Sequence, residues 1–203
     1  MAFKLFPHQE EAISKMRSGS ILCGGVGSGK TLAALAYYQK HFSVITTAKK
    51  RDSMDWQNDA DALGIAVEVY SWNAIKNHTE VKDAFFIFDE QRVVGYSTWS
   101  KSFIKIAKNN KWILLSATPG DTWMDYIPVF IANGFYKNKN DFLQQHVEFD
   151  RFSKYPKIKA YHNEGRLMSN RNKLLIPMDM ERSTTRHRQI IFSDYNLENG
   201  IKY

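Results

Sequence analysis

The sequence predicts an α/β domain of three layers with a mainly parallel central sheet. Three observations carry that expectation. Short apolar runs alternate with amphipathic stretches through the first 120 residues, the order expected of strands joined by right-handed helical crossovers. Several of those runs, AFFIF at 84–88 above all, are continuous rather than alternating, as in strands buried on both faces. The glycine-rich stretch 24–29 lies between an apolar run and an amphipathic one, where a sheet of this kind has a loop at a strand's carboxyl end.

The elements follow in order. Phe6-Pro7-His8-Gln9 leads into a short amphipathic helix from Glu10 to Met16. Strands are expected at 20–23 (SILC), 43–47 (SVITT), 66–70 (AVEVY), 84–88 (AFFIF) and 111–116 (KWILLS), short runs rich in β-branched and aromatic residues. Helices are expected between them at 31–41, 50–63, 72–77 and 97–109. Beyond Pro119 the pattern changes. Residues 122–134 read as a helix with Met124, Ile127, Phe130 and Ile131 on one side, and 138–148 as another. From about 150 onward Pro, Lys, Arg, Asn and Ser dominate and periodicity fades. The expected organisation is therefore a lobe over 1–148 and a basic, irregular tail or linker over 149–203.

Composition excludes several classes. Hydrophobic residues at 43% and charged residues at 24% are those of a chain with a packed core. No apolar run reaches the roughly 18–20 residues of a membrane-spanning helix. The N-terminus turns acidic early, so no secretory leader is expected. Cys23 is the only cysteine, which excludes an internal disulfide and a thiolate zinc site. A reducing, cytoplasmic setting is the expectation. The net charge of +7 is concentrated: residues 151–190 hold ten Lys/Arg against three Asp/Glu. Such a block favours a polyanionic partner.

Gly24-Gly25-Val26-Gly27-Ser28-Gly29-Lys30-Thr31 matches the phosphate-loop pattern G-x-x-x-x-G-K-[ST] without a mismatch. Its glycines let backbone N–H groups face phosphate oxygens, and the following helix adds its positive dipole end. Lys30 would neutralise phosphate charge, and the Thr31 hydroxyl would be a magnesium ligand. Asp89-Glu90 stands at the end of the AFFIF run. An Asp there can hold magnesium and the next Glu can polarise an attacking water. The Gln9 amide could read an adenine edge, and the hydroxyls of Ser116 and Thr118 could link the acidic pair to neighbouring segments. The expected cofactors are ATP and Mg2+. Thr46, Thr47 and Lys49, in the loop after the second strand, are candidates for nucleic-acid phosphate contacts. Trp72 is a candidate for lying near nucleic acid, and Lys154, Lys157 and Lys159 for phosphate binding.

Taken in order, these pieces resemble the first, RecA-like lobe of a helicase superfamily-two ATPase, most closely its Swi/Snf-type DNA translocase branch. FPHQ is similar to the Q motif, GGVGSGKT to motif I, VITTAKK with Trp56 to motif Ia, VEVYSWNAIKN to motif Ib, DEQR to motif II and LLSATPG to motif III. The stretch NKLLIPMDMERSTTRHRQIIFSDY resembles the connection to a second lobe. DEQR is neither DEAD nor DEAH, and Gly120-Asp121 replaces the Asn-containing turn usual in that branch. The resemblance implies ATP-dependent action on double-stranded DNA, with a second lobe in cis or in a partner chain supplying an arginine finger. Two other readings are a one-lobe nucleotide-binding regulatory or partner-binding module, and a small-molecule kinase. The last leaves FPHQ and SATP without a role.

Overall fold

The computed structural model describes residues 4–90 and 97–178. Helix α1 (Pro7–Lys15) starts on a proline, whose missing N–H is no loss at a helix start. Then come β1 (Ile21–Cys23), α2 (Lys30–Tyr37), β2 (Phe42–Thr46), α3 (Ala48–Asp52), α4 (Asp55–Asp61) and β3 (Val67–Ser71). A 3-10 helix over Trp72–His78 leads to β4 (Phe85–Asp89), followed by α5 (Thr98–Asn109) and β5 (Lys111–Ser116). A 3-10 turn (Trp123–Tyr126) runs into α6 (Ile127–Ala132), and α7 (Lys139–His146) follows. The described chain ends with β6 (Val147–Phe149), β7 (Ile158–Tyr161), α8 (Glu164–Leu174) and β8 (Leu175–Pro177).

The central sheet is six-stranded in the order β3-β2-β4-β5-β1-β8, and every pairing is parallel. All five anticipated strands are present. Both faces are covered, which is why AFFIF is apolar throughout. Phe85 and Ile87 enter one core with Ala12 of α1, Leu35 of α2 and Trp56 of α4. Phe86 and Phe88 enter the other with Phe103 of α5 and Phe130 of α6. Phe88 and Trp112 each meet the Phe103 ring edge-on, at 4.8 and 4.9 Å between centroids. That is the geometry aromatic quadrupoles favour.

Three expectations are corrected. The helix expected over 50–63 is two helices, broken at Met54, which takes a left-handed backbone (φ 60°). The first crossover helix stops at Tyr37 rather than 41, because Tyr38 turns extended and stacks on Phe85 at 4.0 Å. The described part of the tail is not irregular. β6 and β7 form an antiparallel hairpin, α8 packs Leu167 and Leu174 into the core, and β8 extends the central sheet beside β1. β8 escaped notice because Leu175-Ile176-Pro177 is three residues long and ends on a proline, which only an edge strand tolerates readily.

Candidate nucleotide site

The loop Gly24–Gly29 joins β1 to α2 at the carboxyl end of the sheet. Two of its glycines are dictated by space. A Cβ on Gly24 would lie 2.6 Å from Ser28 Oγ and 2.9 Å from the Met178 carbonyl oxygen. Gly29 has φ 76° and caps α2, and a Cβ there would sit 2.2 Å from Gln9 Nε2. Lys30 Nζ donates to the carbonyl oxygens of Gly24 (2.6 Å) and Gly25 (2.9 Å), so its ammonium is held over the loop. Burial pushes Lys30 below the ordinary lysine value; Asp89 opposes this and Lys50 adds to it. Ser28 Oγ is buried with no hydrogen-bond partner among the described residues.

Asp89, only 2% exposed, ends β4. A buried carboxylate needs partners, and three donors converge on Oδ2: Thr46 Oγ1 at 3.1 Å, Lys50 Nζ at 3.0 Å and Trp56 Nε1 at 3.0 Å. Trp72 Nε1 donates to the Asp89 carbonyl oxygen at 3.1 Å. Glu90 takes a left-handed backbone (φ 55°) and is half-exposed, with Oε1 3.2 Å from Lys50 Nζ. Burial alone would lower the Lys50 pKa, but Asp89 and then Glu90 outweigh it and hold the value above the ordinary one.

Lys30, Thr31, Asp89, Glu90 and Ser116 line one open cleft of about 430 Å³, within the usual range for small-molecule sites. The donor set suits a hydrated magnesium ion: hard oxygens on Thr31 and Asp89, with no cluster of three or more His, Cys, Asp or Glu among the described residues that would compete for a softer metal. All three side-chain donors to Asp89 take Oδ2.

The other anticipated residues divide. Gln9 is buried beneath the loop: Oε1 accepts from Phe6 N (2.9 Å) and Nε2 donates to Gly29 O (3.3 Å). Its amide supports the loop. Thr46 and Trp72 do not face a nucleic acid. Thr46 is fully buried against Asp89, and Trp72 is 2% exposed, stacked on Phe88 and Trp99. The Thr46 hydroxyl and the Trp72 indole are turned inside, where each donates to Asp89. Thr47 caps α3 by accepting from Lys50 N, and Lys49 is exposed. Ser116 Oγ accepts from Thr118 N at 3.1 Å, which closes the turn after β5. Lys154 and Lys157 are exposed, whereas Lys159 is paired with Glu148 at 2.6 Å. Gln91 and Arg92 of DEQR, and Arg182, Arg186 and Arg188, lie outside the described residues. Sequence reasoning missed Lys50, Asp59 and the polar duty of Trp56. Asp59 also lines the cleft, and burial with nearby Asp55 raises its pKa. The one available signal was Thr47 as a helix cap, which sets Lys50 in the first turn of α3, beside the end of β4.

Comparison with known proteins bears on the fold. No protein-family model matches the chain, and no curated protein does. Among solved structures, the chain is similar to the SWI2/SNF2 ATPase core from Sulfolobus solfataricus, determined in complex with dsDNA. The TM-score is 0.68 at 14% identity, over 87% of this chain and 45% of that one. This chain therefore spans less than half the length of that core. The two share an α/β fold built on a parallel sheet of the RecA-like kind. Among the described residues, no helix is long and apolar enough to cross a membrane.

Proposed function

We propose that the chain is the nucleotide-binding lobe of an ATP-dependent nucleic-acid motor, acting on double-stranded DNA together with a second lobe. The observation that carries this reading is the convergence of Lys30, Thr31, Asp89 and Glu90 on one cleft at the carboxyl ends of β1 and β4. In this reading the loop amides and Lys30 bind the β- and γ-phosphates of ATP. Thr31 and Asp89 would hold Mg2+, which when bound neutralises charge on the phosphates. Glu90 orients the attacking water and takes its proton. The Lys50 ammonium, 3.2 Å from Oε1, competes with water for that oxygen. Lys49 and Thr47 at the loop after β2, with Lys154 and Lys157, are the proposed backbone contacts for DNA.

Titration calorimetry with ATP and magnesium is the direct test. Saturable binding by the wild type, lost in Lys30→Ala, supports the reading, and equal affinity in the variant refutes it. The second reading is a one-lobe nucleotide-binding module without motor activity, in which Lys50 would stay paired with both Asp89 and Glu90. The two part on DNA-stimulated turnover in the presence of a second lobe.

A further inference from the structure

The hairpin β6–β7 carries an unassigned feature. Its loop is closed by Asp150 N donating to Lys157 O at 2.8 Å, and Phe152 N donates to Asp150 Oδ1 at 2.9 Å, which fixes the first turn. Between those residues stand Arg151, Phe152, Ser153, Lys154, Tyr155 and Pro156. Phe152 is 99% exposed and Tyr155 72% exposed. Lys154 Nζ lies 5.9 Å from the Tyr155 ring centroid. The base of the hairpin is firm. The buried His146 ring is held at Nδ1 by the His162 carbonyl (2.8 Å) and at Nε2 by the Tyr136 hydroxyl (2.7 Å). A register shift at Glu148/Phe149 adds twist.

The Phe152 ring contributes almost nothing to packing within the chain, and what marks this loop out is not one exposed ring but two set among cations. The chemistry around them selects a partner. Two rings three residues apart, interleaved with Arg151, Lys154 and Lys157, match the stacking platforms that hold unpaired bases while cations track the phosphates. A lipid surface calls instead for a broad apolar face, which two isolated rings do not provide.

We propose that Phe152 and Tyr155 form a base-stacking wedge for single-stranded nucleic acid, with Arg151, Lys154 and Lys157 on its backbone. This rests on the nucleic-acid reading above and adds to it a contact with an unpaired segment next to the bound duplex, and the two residues that would make it.

The test uses a single-stranded oligonucleotide carrying 2-aminopurine, a matching duplex, and Phe152→Ala, Tyr155→Ala and Phe152→Trp. Loss of one stacked base corresponds to a drop in single-strand affinity of about 5- to 150-fold. Each alanine variant should show that loss, with less quenching of 2-aminopurine and an unchanged salt slope. Phe152→Trp should retain both affinity and quenching. Lys154→Ala with Lys157→Ala should instead flatten the salt slope on single strand and duplex alike. Because both rings are exposed, melting temperatures should not change, which separates lost contact from lost fold. Wild-type binding that both alanine variants preserve overturns the wedge and leaves the nucleic-acid reading standing. No binding of either oligonucleotide by the wild type overturns both. Sedimentation with anionic phospholipid vesicles that Phe152→Ala abolishes, with oligonucleotide binding intact, overturns the wedge and reassigns the loop.

Discussion

Thr46→Val tests the assignment of Thr46 as an internal partner of Asp89 rather than a nucleic-acid contact. The substitution keeps shape and β-branching at the buried end of β2, so it leaves no cavity. What it removes is one donor, the Oγ1–H that reaches Asp89 Oδ2 at 3.1 Å. Hydrogen bonds to charged groups contribute about 1.5–3 kcal/mol. Asp89 keeps Lys50 and Trp56, both at 3.0 Å, so the carboxylate is weakened rather than orphaned. In a chain of this size each kcal/mol shifts Tm by about 2–4 °C, and a fall of about 3–12 °C follows. The assay is thermal denaturation by circular dichroism, beside fluorescence anisotropy with a labelled duplex. A lower Tm with unchanged duplex affinity is expected. An unchanged Tm with weakened duplex binding would refute the argument and return Thr46 to the nucleic-acid surface.

Glu90→Gln should leave ATP affinity close to wild type while suppressing hydrolysis, because the amide keeps the shape but accepts no proton; turnover at the wild-type rate in a phosphate-release assay would move that role elsewhere. Gly29→Ala should weaken both stability and nucleotide binding, since φ 76° is strained for alanine and its Cβ would strike Gln9 Nε2 at 2.2 Å; strain of this kind costs about 1–3 kcal/mol, and unchanged Tm and affinity would contradict it. Lys50, whose folded pKa is raised above the ordinary 10.5, contributes stability that is fully present below pH 10.5 and lost as pH rises through the higher folded value. Lys50→Met should therefore leave the melting profile flat near neutrality and make its alkaline limb shallower, and an equally steep limb would show that the pair does not matter there.

How much of this was legible in sequence depended on the range over which each residue acts. The five strands, the phosphate loop and the acidic pair were readable because each shows as a contiguous local pattern: AFFIF by continuous apolarity, GGVGSGKT by its unbroken match to a short glycine-rich pattern. Thr46 and Trp72 were misassigned because their partners, Asp89 Oδ2 and the Asp89 carbonyl, lie 43 and 17 residues away. No local pattern distinguishes a hydroxyl aimed at a distant carboxylate from one aimed at solvent. Lys50 was missed for the same reason. β8 was missed because its identity as a strand comes from β1, not from Leu-Ile-Pro itself. The contacts of Gln9 with Phe6 N and Gly29 O were not legible, since which backbone atoms an amide meets is settled only by packing.

The contacts of Asp89 explain why those misassignments share a cause. The end of β2 sends Thr46, α3 sends Lys50 and α4 sends Trp56 to its carboxylate, and the start of the 3-10 helix after β3 sends Trp72 to its carbonyl. These are the two segments that sequence resemblance marks as nucleic-acid loops, with Thr47 and Lys49 on the outside of the first. A residue on the outer side of such a loop can meet a phosphate while its neighbour, one or a few positions away, holds the carboxylate. A displacement of Thr46 or Lys50 would change a hydrogen bond to Asp89, and Lys50 Nζ also lies 3.2 Å from Glu90 Oε1. In the proposed function, the carboxylates that serve hydrolysis and the loop that faces DNA are joined by single hydrogen bonds, without an intervening relay. The inward-facing residues misread as ligand contacts are those through which ligand contacts would act on the site.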